Sequence, residues 1–331
     1  MNLRTPIILL VMITVCTAAS IWSLSAGAIQ IPASEIINTL FGLEGPKQEY
    51  IINRSRLPRT LLALITGGAL ALSGAIIQAL LRNPLASPKI IGINSGAALA
   101  VLLGALVVPD ITLRWLPFFA AFGAISVAIF IFLLAEFHPI SPARLALIGI
   151  AVGFSCDAGV DYILVTAPSY EFSAPLVWLT GSLWARGWSH LNAVWPALIL
   201  LSALCLLLSF RLDLIRLGAA QATGLGMNVR LERLILLGLA TLLAALSVSV
   251  VGVLGFVGLM SPHIARRLVG GTHRGLLPVA MLTGMLLVVL ADAVGRSVMP
   301  PVEISAGILT ALFGAPFFIF ILLSSRSEEK T

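Results

Sequence analysis

Charge is scarce in this chain. Only 10% of its 331 residues are Asp, Glu, Lys or Arg, and 59% are hydrophobic, where a soluble domain keeps roughly a quarter of its residues charged. With a mean hydropathy of +1.06, a soluble globular domain is excluded. Lysine is rarer still. Lys47, Lys89 and Lys330 are the whole set and none follows a glycine, so there is no GxxxxGK[ST] phosphate loop and no means of using ATP within the chain. HExxH is missing, which removes the usual zinc-protease helix, and no GxGD setting suggests an intramembrane aspartyl protease. Gly258-Leu259-Met260-Ser261 with His263 is better explained as a proline-broken helix end than as a serine-protease fragment. The three cysteines, Cys16, Cys156 and Cys205, sit inside apolar runs without metal-ligand spacing, so neither disulfides, metal sites nor bound cofactors are expected. Ten-residue polar/apolar alternation is absent too, which rules out a transmembrane barrel.

What the chain has instead is a series of apolar runs about twenty residues long, the length of a helix crossing a hydrocarbon core. They predict an all-α, polytopic bundle of about ten spans in one domain, 1–331. The expected spans are 6–24, 60–81, 91–108, 115–135, 143–165, 192–210, 234–251, a Gly- and Pro-interrupted eighth around 255–274, 276–295 and 304–323. Span 2 is crowded with small residues, which lets helices approach closely. Trp178, Trp184 and Trp188 follow span 5 in a segment expected to lie as a short helix at the membrane interface. An uncleaved first span is expected rather than a signal peptide.

The net charge of +6 forms no basic stripe with interleaved aromatics, so nucleic acid is not an expected partner. With an even number of spans both termini share one side. Assigning that side to the cytoplasm places thirteen Lys and Arg there (among them Arg82, Lys89, Arg211, Arg216, Arg266 and Lys330) and seven outside: Lys47, Arg54, Arg56, Arg59, Arg114, Arg186 and Arg296. That is the expected positive-inside bias. Arg56-Leu57-Pro58-Arg59 also matches Arg230-Leu231-Glu232-Arg233, and Ser87-Pro88 matches Ser261-Pro262, at one shared offset of 174 residues. Five spans separate the copies, so the repeat would be inverted, a construction seen in transporters.

The longest polar interruption of the second half is Arg211–Arg233, RLDLIRLGAAQATGLGMNVRLER. Its alanines favour helix and its glycines break or cap it, giving two short cytoplasmic helices with a tight bend. It reads either as an ordinary loop or as a docking element for a soluble partner. Within the spans, Asp157 and Asp161 are four apart on one helix face that should meet a cavity or the bundle interior. They serve polar lining or packing, or a proton or ion relay. Asp292 and Arg296, also four apart, make a local ion pair unless Arg296 faces outward, and Gln78 bonds between helices.

Read in order, RLPR (56–59), GALALSGAIIQ (68–78), RNPLASPKIIG (82–92), WLTGSLW (178–184), LGAAQATGLG (217–226), GFVGLMSPHIAR (255–266), HRGLLP (273–278), ADAVGR (291–296) and GAPFF from Gly314 identify the chain as a member of the FecCD-type permeases. These are the membrane subunits of ABC importers for ferric siderophores, ferric dicitrate, haem and cobalamin, and the ferric dicitrate and siderophore branch is the most similar. The resemblance implies a type II ABC importer permease fold in the bacterial inner membrane. It implies no enzyme activity of its own, and as partners a second permease subunit (a copy or a paralogue), two cytoplasmic ATPases and an external binding protein. It assigns ATPase coupling to Leu217, Gly218, Ala222, Leu225 and Gly226, with Ala219 standing where relatives often carry an acid. It assigns contact with the binding protein to Arg56, Arg59 and Arg296. Gln78, Asp157, Asp161, Pro262 and His263 are candidates for the pathway or its packing, along walls built from spans 5, 8 and 10. The competing reading is an ion-coupled secondary transporter using Asp157 and Asp161.

Overall fold

The computed structural model describes residues 4–41, 49–89, 91–108, 115–137, 142–166 and 173–328; Lys47, Arg114 and Lys330, counted above for topology, lie outside them. Helices carry the described residues and no extended strand is present among them. In order they are α1 (Arg4–Ser25), α2 (Ala33–Leu40), α3 (Leu57–Leu81), α4 (Ile93–Val107), α5 (Leu116–Phe137), α6 (Pro142–Thr166), α7 (Ser173–Leu179), α8 (Trp188–Leu207), α9 (Ser209–Leu217), α10 (Ala219–Gly224), α11 (Val229–Val251), α12 (Val257–Val269), α13 (His273–Ser297) and α14 (Ala306–Glu328). A wider helical turn, Ile51–Arg56, runs directly into α3. Among the described residues six stretches are long and apolar enough to cross a membrane: α1, Ile51–Leu81, the Arg144–Thr166 part of α6, α8, α11 and α13. Ile93–Val107, Leu116–Ile131 and Ala306–Ile319 are shorter apolar helices, and the 13-residue α12 fills the interrupted eighth position.

α3 is the axis of the bundle. It packs against α8, α11, α12 and α13, and most of its residues are buried. The small residues explain this. A Cβ on Gly67 would lie 2.4 Å from the Gly284 carbonyl oxygen of α13, and one on Gly74 would lie 1.8 Å from that of Gly258 in α12. The backbones therefore touch, and attraction between helices comes from close packing rather than from escape from water. The helices headed by the RLPR and RLER copies, α3 and α11, run in opposite directions and are bonded at mid-length by Ser73 Oγ–H to the Ala240 carbonyl at 2.6 Å. Local structure does not repeat, however: Pro88 stands in a turn, whereas Pro262 lies inside α12.

The interfacial reading of the tryptophan segment is corrected in part. Trp178 is 1% exposed and belongs to the core, while Trp184 and Trp188 are open. Trp188 donates its Nε1–H to the Asn53 carbonyl at 2.7 Å, pinning the start of α8 beside the entry to α3.

Candidate functional site

Two clusters occupy opposite ends of α3. At its C-terminal end sit α9 and α10, the elements built from the sequence Ser209 to Gly226 after the apolar α8 runs out at Leu207. Gly218 separates them at φ 118°, ψ 154°, a conformation that only glycine adopts cheaply. Gly226 (φ 84°) ends α10 with the Met227 N–H bonded back to the Ala222 carbonyl at 3.1 Å, the glycine-terminated helix end that the sequence suggested. Ala222 is fully buried beneath the loop, but Leu217 and Leu225 are 58% and 66% exposed. The five residues are thus brought together as a bent two-helix hook with two leucines facing out.

Arg211, Asp213 and Arg216 of the loop hold this hook to the bundle. Asp213 accepts from the backbone N–H of His273 at 2.9 Å and contacts its Nδ1 at 2.7 Å, at the start of α13. Arg216 donates to the Gly271 carbonyl at 2.5 Å, at the α12–α13 turn. Arg82, ending α3 in a left-handed turn, donates to the Ile215 carbonyl at 3.3 Å. Arg211 pairs with Glu232 of α11, and that hydrogen bond raises the Arg211 pKa. α9 is thus bonded to the end of α3, to α11, to the α12–α13 turn and to the start of α13. Gln78 belongs to the same end: it accepts from Arg266 Nη2 at 3.0 Å and donates to the Leu259 carbonyl at 3.3 Å, joining α3 to α12 as expected.

At the opposite end the structure corrects an expectation. Arg56, Arg59 and Arg296 do not face outward; they are 6%, 7% and 6% exposed. Arg59 donates to Asp292 Oδ1 from Nη2 at 2.8 Å and from Nε at 2.9 Å, and makes a second ion pair with Glu303 at 2.8 Å. Arg296 reaches Asp292 at 3.1 Å, the pairing read from their spacing, and also donates to the Ser23 and Ala26 carbonyls. Arg56 donates to the carbonyls of Leu24, Ser25 and Ile29. The physical reason is the C-terminus of α1, whose last carbonyls have no partner within the helix and form the negative end of its dipole. Two arginines satisfy them from below. Arg54, by contrast, is exposed on the same surface. Arg186, between α7 and α8, is buried, and burial lowers its pKa to about 10.

Asp157 and Asp161 lie on the open side of α6, half-buried and exposed respectively, and neither joins either cluster. Pro262 is buried within α12, and His263 next to it meets Phe317 of α14 edge-on with ring centroids 6.0 Å apart. Among the described residues no group of His, Cys, Asp and Glu could hold a metal ion.

Known proteins with this architecture share its length as well. A chain of a metal-chelate type ABC transporter solved in an inward-facing conformation is 32% identical, superposes with a TM-score of 0.85, and the match covers 96% of this chain and 99% of that one. The permease protein YfmE of the Fe(3+)-citrate import system of Bacillus subtilis (strain 168) is 43% identical over 96% of this chain and 95% of its own length. FecD of the Escherichia coli (strain K12) Fe(3+) dicitrate transport system is 40% identical over 97% and 99%. The profile of the FecCD transport family matches residues 11–324, and with it this multi-pass membrane chain belongs to the FecCD transport family.

Proposed function

We propose that this chain is the membrane-spanning subunit of an ABC importer that moves an iron(III) chelate, a siderophore or ferric dicitrate, across the bacterial inner membrane. In this reading a cytoplasmic ATPase pair supplies the energy, an external binding protein delivers the chelate, and a second permease subunit completes the path. Both termini and the 211–233 loop then face the cytoplasm. The observation that carries the reading is the hook at 217–226: exposed Leu217 and Leu225 on a pair of helices joined at Gly218, tied by ion pairs and hydrogen bonds to α3, α11, α13 and the α12–α13 turn. An exposed apolar pair anchored to the bundle suits a groove on a soluble motor, and its displacement would reach α3, α11, α13 and the α12–α13 turn. The binding protein would meet the opposite end, where Arg54 is available and the buried arginines fix the shape of the surface.

The test is ATP-driven uptake of radiolabelled ferric chelates by the complete complex in proteoliposomes. Replacing Leu217 and Leu225 together by Asp should cut ATP-driven uptake at least about tenfold, as loss of two anchoring side chains does at other interfaces, while the permease still folds. Uptake driven by an ion gradient with the ATPase omitted would favour the secondary-transporter reading built on Asp157 and Asp161, and would overturn this one.

A further inference from the structure

The two segments that interrupt the bundle meet at one place. Residues 83–89 follow the C-terminal end of α3 and residues 91–92 precede α4, while residues 252–256 join α11 to α12. Pro88 of the first packs on Gly258 just after the second, where Gly258 touches Gly74 of α3. Gly74 lies seven residues before the helix end, so this junction is about 10 Å inside the end of α3 at the helical rise of 1.5 Å per residue. Between the segments is a cavity of about 300 Å³ with mainly apolar walls, including Leu70, Leu254, Phe256 and Phe318.

Two polar features stand out against those walls. Lys89 is exposed at the cavity, and among the described residues it has no carboxylate partner. An exposed ammonium on a flexible stem keeps its hydration while its charge faces the cavity. Asn94, in the first turn of α4, is 5% exposed, and its Oδ1 has no hydrogen-bond partner. An unpaired buried amide is uncommon and costly unless something intermittently supplies the missing bond. The amide can present either its oxygen or, after a half-turn, its two N–H donors. Backbone strain marks the same spot: Phe256 holds φ 63°, a left-handed conformation unusual for a bulky residue.

We propose that this cavity is a waypoint for the carboxylate-bearing anionic form of the transported chelate, with the Lys89 ammonium and the Asn94 amide as its polar contacts. The proposal rests on the importer reading above. One cation and one amide on apolar walls bind weakly, which suits a ligand that must leave again. The cavity's position between two broken segments, rather than along a continuous helix, lets relative motion of α4 and α12 open or close it.

The experiment uses the complete complex in proteoliposomes, with radiolabelled ferric citrate as probe. Lys89→Cys is made in a Cys156→Ser background, because Cys16 and Cys205 are buried. Loss of the ammonium should reduce ATP-driven uptake about tenfold or more, the usual scale for a charge-assisted hydrogen bond, with ATP hydrolysis preserved. An aminoethyl thiosulfonate, which restores an ammonium at position 89, should recover uptake, whereas a neutral methyl thiosulfonate should not. Asn94→Leu should reduce uptake several-fold at unchanged ATP hydrolysis. Full uptake by Lys89→Cys, or equal recovery with the neutral reagent, would overturn the waypoint while leaving the importer intact. Absence of ATP-driven ferric chelate uptake by the parent complex would overturn the importer reading itself, and that is measured before any variant is made.

Discussion

Asp292 is the residue on which the cluster at the N-terminal end of α3 depends. It is 2% exposed and receives Arg59 from α3 and Arg296 from its own helix. Removing one member of a buried charge cluster costs more than the cluster itself contributes, because the remaining charges stay desolvated and unpaired. Asp292→Asn should therefore destabilise the protein by about 3–5 kcal/mol, seen as a lower unfolding temperature of the purified chain in detergent. Arg54→Gln is the control. Its side chain is exposed, so stability should be unchanged, and any effect should appear as slower association with the binding protein that high salt masks. A stable Asp292→Asn protein would mean that the Arg59–Glu303 pair and the carbonyl contacts of Arg56 and Arg296 hold the cluster without it. The i,i+4 pair was legible in the sequence from spacing. Its third member was not: Arg59 lies 233 residues away, and charge near a span end looks the same whether it points to solvent or to a neighbouring helix terminus.

Among the elements, α3 decides the packing. Gly74→Val would place side-chain atoms within the backbone of α12, where the first carbon alone meets the Gly258 oxygen at 1.8 Å. The helices must separate, so this variant should fail to accumulate as a folded species in membranes, as judged by fluorescence-detected gel filtration. Gly238→Ala on α11 is the matched opposite. Nothing lies within 4 Å of the added carbon, and the exchange should stabilise the helix by up to about 1 kcal/mol. Span positions were legible because apolar length is set by the membrane, and the observed helix bounds fall within a few residues of the runs. The partners of α3 were not, since small residues announce close approach without naming the helix approached. Trp178 shows the same limit: indole is amphipathic, and only the fold says whether its ring meets an interface or the core.

For the whole molecule, the outer faces matter more than the core. α6 turns Phe154, Asp161 and Tyr162 outward from this chain, with Asp157 half-covered beside them. Asp161 lies seven residues past the middle of α6, toward its C-terminal end, and a carboxylate on a membrane-spanning helix favours water or another subunit over hydrocarbon as its neighbour. The proposed importer, with two permease subunits, offers both a water-filled space and a second subunit to cover that face. The four-residue spacing showed that the carboxylates share a face, but one chain cannot show what that face meets. Asp161→Cys, in a background with Cys156 replaced by Ser, should react with a hydrophilic thiol reagent in the assembled complex, and a lipid-soluble quencher in the membrane should not reach a fluorophore attached there. Ready quenching from the lipid would place α6 on the outside of the assembly. Labelling that slows when nucleotide is trapped on the ATPase would instead tie the width of the space beside α6 to the hook at Leu217–Gly226, so that a movement entering at one end of α3 is read on a face that the hook does not touch.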